Sequence, residues 1–163
     1  MSTFEREGYQ WRETYFVFFE PERRPTLRQI ERALRKLNSR FELLDPAADS
    51  EGRFDSLTVV APDDYAALDI SFSSGDEVFE QGVTLQKEFR GAALDPDEKR
   101  KLVGLAKLGA KFDLLHFERI AEGFGEQDEP DDMLDPSALL LVMDALVELT
   151  GGVGVDPQSG ALT

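Results

Sequence analysis

Cysteine is absent from this chain of 163 residues, and histidine occurs once, as His116. Without cysteine the chain has no disulfide and no thiol nucleophile, so its folding does not depend on an oxidising compartment. A single histidine also makes a multi-histidine metal site or a hydrolase triad hard to build. These absences remove the commonest routes to catalysis and favour a protein that works through its surface.

Long apolar segments are missing as well. The longest dense apolar stretch, Ala138–Met143, has six residues, whereas a transmembrane helix needs about 20. The segment Met1–Trp11 is polar and charged and has no apolar core of the kind found in a signal peptide. We therefore expect a cytoplasmic location and no membrane partner.

Cations are scarce, with 18 Lys and Arg against 33 Asp and Glu, which gives a net charge of -15. This balance argues against a nucleic-acid partner, because affinity for DNA and RNA comes largely from cations that neutralise phosphates. The apolar fraction of 41% and the 12 Phe are enough for a packed core. At this length they predict a single domain over residues 1–163.

The first half of the chain predicts a β-α-β-β order. An aromatic run at Tyr15–Phe19 is typical of a buried strand. Thr26 can cap a helix that extends to about Arg40, and a polar loop follows at Asp45–Gly52. Strands are then predicted at Leu57–Val60 and Leu68–Phe72. This order fits a ferredoxin-like α+β fold, an antiparallel or mixed sheet with helices on one face.

The second half extends this start with further helices and two short strands. Caps and apolar patterns predict helices at Glu77–Phe89, Asp95–Gly109 and Ala138–Leu149, and a strand at Val153–Val155. Residues 112–117 fit either a strand or a continued helix. Gly109 and the aromatic content favour the strand.

His116 is the main candidate for catalysis because it is the only histidine. A carboxylate beside it would raise its pKa toward the working pH and make it a general base. Asp113 and Glu118 are the nearest acids in the sequence, but spacing alone does not place them. A histidine between apolar neighbours is more often a core residue, so no catalytic site is assigned.

Cofactor and metal motifs are weak. Glu126–Asp135 holds six acids in ten residues, but it lacks the spacing of a calcium-binding loop. Gly151–Gly154 follows a helix and precedes a strand, the reverse of a dinucleotide-binding loop. It is better interpreted as a helix C-cap at Gly151 and a hinge at Gly152. We therefore expect neither a cofactor nor a metal ion.

The charge is distributed unevenly. The segment Arg23–Arg40 carries seven cations and one acid, a net charge of +6, which leaves -21 for the rest of the chain. Such a helix face is often simply solvated. It is also a candidate docking face for an acidic partner or for the acidic side of a second copy, carried by Arg28, Arg32, Arg35 and Lys36.

The C-terminal segment Ala145–Gly160, with its paired glycines and Asp-Pro-Gln-Ser-Gly turn, resembles the ending of some bacterial domains of unknown function. This resemblance covers about a tenth of the chain. It implies a bacterial α+β domain, and it assigns no activity and no site residue.

The function that the sequence favours is a non-enzymatic binding or regulatory module acting through protein–protein contacts, with a homodimer left open. One alternative is an acidic inhibitor or immunity-type protein for a basic toxin or nuclease, since such a partner suits the net charge. Another is a small enzyme with His116 as base and Asp113 or Glu118 beside it.

Overall fold

The computed structural model describes residues 9–62, 66–119 and 137–163. The strands are β1 (Tyr9–Phe19), β2 (Glu42–Ala48), β3 (Phe54–Ala61), β4 (Ala66–Ser74), β5 (Ala110–Arg119) and β6 (Val153–Val155). The helices are α1 (Leu27–Leu37), α2 (Asp76–Phe89), α3 (Pro96–Leu105) and α4 (Ser137–Thr150). Within these ranges, no helix combines the length and apolarity that crossing a bilayer requires.

The six strands form one antiparallel sheet in the order β2-β3-β4-β5-β1-β6. The predicted α+β class is confirmed. The ferredoxin-like arrangement is not confirmed, because β1 pairs with β5 and β6 and lies apart from β2, β3 and β4. The first of the described strands thus becomes an interior strand, between β5 and the edge strand β6.

Helices cover both faces of this sheet. Val17 and Phe19 on one face of β1 pack in a core with residues of α1 and α4, whereas Phe18 on the other face packs with residues of α2 and α3. The expectation of helices on one face is therefore wrong. The reason lies in β1 itself, which is apolar on both sides, as in a strand buried between two layers.

The polar pattern of Asp45–Gly52 predicts a loop, but β2 occupies the first part of this segment. This strand lies at the edge of the sheet and is exposed along most of its length, so it lacks the apolar alternation that reveals a strand. Pro46 interrupts it, and Asp45 has a positive φ of 51°. Both features discourage another chain from pairing with this edge.

The opposite edge is covered by the end of the chain. The backbone of Gly154 in β6 exchanges hydrogen bonds of 3.2 and 2.9 Å with Thr163. Val155 also forms a β-bridge with Leu162. Pairing of the sheet with a second copy at this edge would have to displace these contacts.

Local sequence signals set several element boundaries. Thr26 and Gln29 form a capping box at the start of α1, and Asp95 and Glu98 form another at the start of α3, so the caps predicted at Thr26 and Asp95 are confirmed. Residues 112–117 lie within strand β5, as favoured. Helix α1 ends at Leu37, before the predicted limit at Arg40.

Candidate functional site

His116 lies in β5 on the face that packs against α1 and α4, directly opposite Glu13 of β1. It is only 6% exposed. Its Nδ1 atom is 3.4 Å from Oε1 of Glu13, yet the two groups are not aligned as a hydrogen bond, and Nδ1 has no other partner in the described part of the chain. The only histidine is therefore a buried group beside a carboxylate.

Burial lowers the pKa of His116 below its usual value, because a charged imidazolium loses its hydration in the interior. The Glu13 carboxylate acts in the opposite direction, and the Arg12 guanidinium adds to the lowering. The net effect favours the neutral imidazole. Such a group can accept a proton, but only at a lower pH than an exposed histidine.

The two carboxylates considered with His116 lie on different faces of the sheet. Asp113 is an odd number of residues away and faces the opposite side, where it pairs with Lys111 at 2.7 Å. Glu118 is two residues away and shares the face of His116. It lies 3.6 Å from the Nε atom of Arg12, and burial raises its pKa. Of the two, only Glu118 shares the side of His116.

Tyr15 also lies near Glu13. Burial raises the pKa of the Tyr15 hydroxyl to about 12, and the negative charges of Asp156 and Glu13 act in the same direction. Tyr15 is therefore protonated at neutral pH and can donate a hydrogen bond. We call the residues Glu13, Tyr15, His116 and Glu118 the His116 cluster.

Glu13 and Tyr15 are the members of the His116 cluster that the sequence did not indicate, and Glu13 is the one opposite His116. It lies in the first strand of the chain, and only the register between β1 and β5 brings it opposite His116. The pairing from Glu13 opposite His116 to Phe19 opposite Ala110 keeps one regular register, but that register exists only after β1 and β5, which are distant in the sequence, have paired. No sequence signal was available to identify the pair.

A pH-dependent loss of stability is expected at His116. Because its folded-state pKa lies below the unfolded value of 6.5, the unfolded chain takes up a proton first as the pH falls. The stability linked to neutral His116 is fully present above pH 6.5 and declines below it, toward the folded-state pKa. Urea unfolding at a series of pH values should show this decline in the wild type and a smaller one in His116→Gln.

The difference in stability between the wild type and His116→Gln at each pH gives the contribution of His116. Burial raises the pKa of Glu118 above 4.5, so its contribution to stability changes in the opposite direction and is common to both proteins. Glu13→Gln removes the group that favours the charged imidazole, so it should steepen the loss below pH 6.5. If the stability of the wild type and of His116→Gln depended equally on pH, the lowered pKa of His116 would be contradicted.

The four cations that the sequence predicts as a docking face lie together on α1. They recur at intervals of four, three and one residues, which places them on one side of the helix, away from Ile30 and Leu34, which are 0% exposed. All four side chains are exposed. None lies within ion-pair distance of a carboxylate in the described part of the chain. We call this set the basic face: Arg28, Arg32, Arg35 and Lys36.

A groove of about 740 Å³ runs between α1 and α4 beside the basic face. Arg32 and Lys36 belong to both. The other lining residues are largely apolar, with two polar members: Gln29, Ala33 and Leu37 from α1, and Ala145, Glu148 and Leu149 from α4. A row of cations thus borders a partly apolar surface, a combination found at protein interfaces.

Arg24 belongs to the same cationic segment but has a different role. Its guanidinium donates a hydrogen bond to the carbonyl of Phe54 at 2.9 Å and pairs with Asp49 and Asp55. It also stacks on the ring of Phe72 at 3.9 Å. The sequence counts Arg24 with the surface cations, whereas the structure uses it to join β3, β4 and the turn that precedes β3.

Neither this groove nor the second described cavity, between α2 and α3, includes His116 in its lining. In the described ranges, no three acidic or histidine side chains are grouped so as to hold a metal ion. The acid-rich segment Glu126–Asp135 lies outside the described residues.

Comparisons of the chain with protein-family models, with curated proteins and with solved structures found no match. Any assignment of function therefore depends on the sites described above.

Proposed function

We propose that this protein is a binding module that contacts an acidic protein partner through the basic face of α1 and the adjoining groove. The observation that carries the proposal is four exposed cations without a described ion-pair partner, placed together in a chain of net charge -15. In such a chain, cations are readily neutralised by the protein's own acids. A set that is not neutralised is available to a partner.

Five other described cations also lack a carboxylate within ion-pair distance, namely Arg23, Lys87, Arg90, Lys99 and Lys107, but they are spread over separate elements. The remaining described cations are largely paired within the protein. Several of them lie within 4.0 Å of a carboxylate, namely Arg12, Arg24, Arg53, Arg100, Lys101 and Lys111. The basic face stands apart from this internal pairing. Complementary charge would steer an acidic partner toward it and fix the register of the complex.

The groove supplies the apolar part of the interface. Leu37 is 37% exposed at its edge, and Ala33, Ala145 and Leu149 contribute further apolar surface. Water-exposed apolar area between two helices favours an amphipathic segment that buries its own apolar side there. The partner surface expected from this lining is acidic at its rim and apolar at its centre.

The test begins with the wild type and a variant in which Arg28, Arg32, Arg35 and Lys36 are all replaced by Gln. Each is used to capture proteins from its native cell extract, and the retained proteins are then purified and titrated against both baits. We expect an acidic partner whose affinity falls at least about tenfold in the variant. Binding should also weaken as salt is raised, because surface charges are screened.

A matched control removes four charges elsewhere. Lys87, Arg90, Lys99 and Lys107 are exposed and lie on or next to α2 and α3, on the other face of the sheet, so their replacement by Gln changes the net charge equally. This control should bind the partner like the wild type. Three results would contradict the proposal. The first is an equal loss of affinity for the partner in both variants, the second is tight binding of a DNA duplex instead of a protein, and the third is failure of the purified proteins to bind.

The wild type and the basic-face variant also test whether the protein associates with itself. The remaining charge of -21 makes a second copy an acidic surface, so a homodimer through the basic face would dissociate as salt is raised. Light scattering at low salt would report it as twice the chain mass of 18.3 kDa. A dimer that persisted in the basic-face variant would place the contact elsewhere.

A further inference from the structure

A second cavity, of about 440 Å³, lies between α2 and α3. The two helices are fixed to each other beside it. The side-chain amide of Gln86 donates hydrogen bonds of 2.8 Å to the carbonyls of both Leu102 and Val103. Gly82 lies so close to the carbonyl of Leu105 that an added Cβ would sit 2.7 Å from its oxygen. One wall of this cavity is therefore preformed.

The charged lining of this cavity is entirely cationic. Arg90 and Lys99 line it, and no carboxylate does. Along α3, the neighbouring Arg100 and Lys101 both pair with Asp97, whereas Lys99 and Arg90 have no ion-pair partner among the described residues. Although acids outnumber cations in the chain by 33 to 18, two cations without an internal carboxylate partner make this cavity locally positive, and a local positive charge favours an anion.

The rest of the lining is apolar. Leu94 and Leu102 form the more buried part, and Val103 is 64% exposed. An isolated inorganic anion would leave this surface in contact with water. A ligand with a short hydrocarbon tail would cover it, and burial of apolar area would then add to the charge interaction. The volume falls in the range of about 300–1,000 Å³ typical of small-molecule sites.

We infer that the cavity between α2 and α3 binds a small amphiphilic carboxylate, with the head group at Arg90 and Lys99 and the tail against Leu94, Leu102 and Val103. The guanidinium can bind a carboxylate through two parallel hydrogen bonds, and the ammonium adds a point charge. This site lies on the other side of the sheet from the basic face, so it is independent of the proposed protein partner.

The probe is octanoate, followed by calorimetry and by amide NMR shifts of the full chain. Acetate serves as the head group alone, and octylammonium as a tail of the same length with the opposite charge. We expect saturable binding of octanoate, with the largest amide shifts at Gln86, Leu94 and Val103. Acetate and octylammonium should each bind at least about tenfold more weakly, because each lacks one of the two contributions.

Paired variants test the two cations. The double substitution Arg90→Gln with Lys99→Gln should weaken octanoate binding at least about tenfold. Lys87→Gln with Lys107→Gln removes the same charge from the same region outside the cavity lining and should leave binding unchanged. Circular dichroism and thermal melts show whether both variants fold. Val103→Ser tests the contribution of the apolar wall to octanoate binding, because it makes that wall more polar without altering the charge.

Four results would overturn the inference. These are binding of octylammonium as tight as that of octanoate, binding of acetate as tight as that of octanoate, equal losses in the two double variants, and octanoate titrations without saturation or without shifts at the cavity. None of these measurements involves the basic face. A negative result for the cavity therefore does not bear on the proposed protein partner, which has its own test.

Discussion

Replacement of Gly152 by Ala is expected to destabilise the protein by about 3 kcal/mol. A Cβ at this position would lie 2.2 Å from the carbonyl oxygen of Phe18 and 2.9 Å from Cβ of Phe19. Both atoms belong to β1, which is hydrogen-bonded to β5 on one side and β6 on the other. The clash therefore cannot be relieved by a side-chain rotation, and the junction between α4 and β6 must shift. Urea unfolding would measure the loss in the free energy of unfolding, provided that the dependence of this free energy on urea concentration has the same slope in both proteins.

Gly104→Ala is the matched control. An added Cβ at Gly104 would meet nothing within 4 Å, and the residue lies within α3, where Ala is favoured over Gly by about 0.5–1 kcal/mol. This variant should be as stable as the wild type or slightly more so. If Gly152→Ala were within about 0.5 kcal/mol of the wild type, the close approach of Gly152 to β1 would be wrong.

Replacement of Arg24 by Ala is expected to cost about 3 kcal/mol. The side chain is only 11% exposed and combines a hydrogen bond to Phe54, contacts with two carboxylates and stacking on Phe72. Its removal leaves a cavity and takes a donor from the Phe54 carbonyl. Chemical unfolding monitored by fluorescence and by circular dichroism should give coincident transitions at lower denaturant.

Two further substitutions separate charge from geometry at Arg24. Arg24→Lys keeps the positive charge but loses the planar fork and the stacking, so it should recover only part of the stability. Arg23→Ala removes the adjacent arginine, which is exposed, and should change stability by less than about 0.5 kcal/mol. If Arg23→Ala cost as much as Arg24→Ala, general loss of positive charge would explain both, and the specific contacts of Arg24 would not.

Gly151 and Gly152 show which structural roles a local sequence pattern can specify and which it cannot. Gly151 was predicted as a helix C-cap, and its φ of 68° and its hydrogen bond to the Val147 carbonyl agree with that role. Gly152 was predicted as a hinge. The structure assigns it a packing role, because the requirement for a missing side chain comes from β1, which lies far away along the chain.

The His116 cluster shows the same limit at a candidate site. The sequence identified His116 and proposed its neighbours Asp113 and Glu118, since only nearby residues can be paired by counting. Strand alternation then puts Asp113 on the other face. Glu13, whose carboxylate lies 3.4 Å from His116, is contributed by β1, a strand far away along the chain.

The sequence by itself determined the features that depend on neighbouring residues. These are the capped starts of α1 and α3, the strand at residues 112–117, the α+β class, and the exposure of the cations of α1 opposite its buried Ile30 and Leu34. Each depends on hydrogen bonds or periodicity within a few residues, so the information is local.

Only the tertiary structure decided the order of the strands, the covering of both faces, the burial of Arg24 and the pairing of Glu13 with His116. The physical reason is that each of these depends on groups distant in the chain that meet only when the sheet assembles. Arg24 and Arg28 are the same residue type in the same segment, yet one is surrounded by Asp49, Asp55 and Phe72 and the other faces water. Their environments, and not their identities, separate a structural residue from a candidate binding residue.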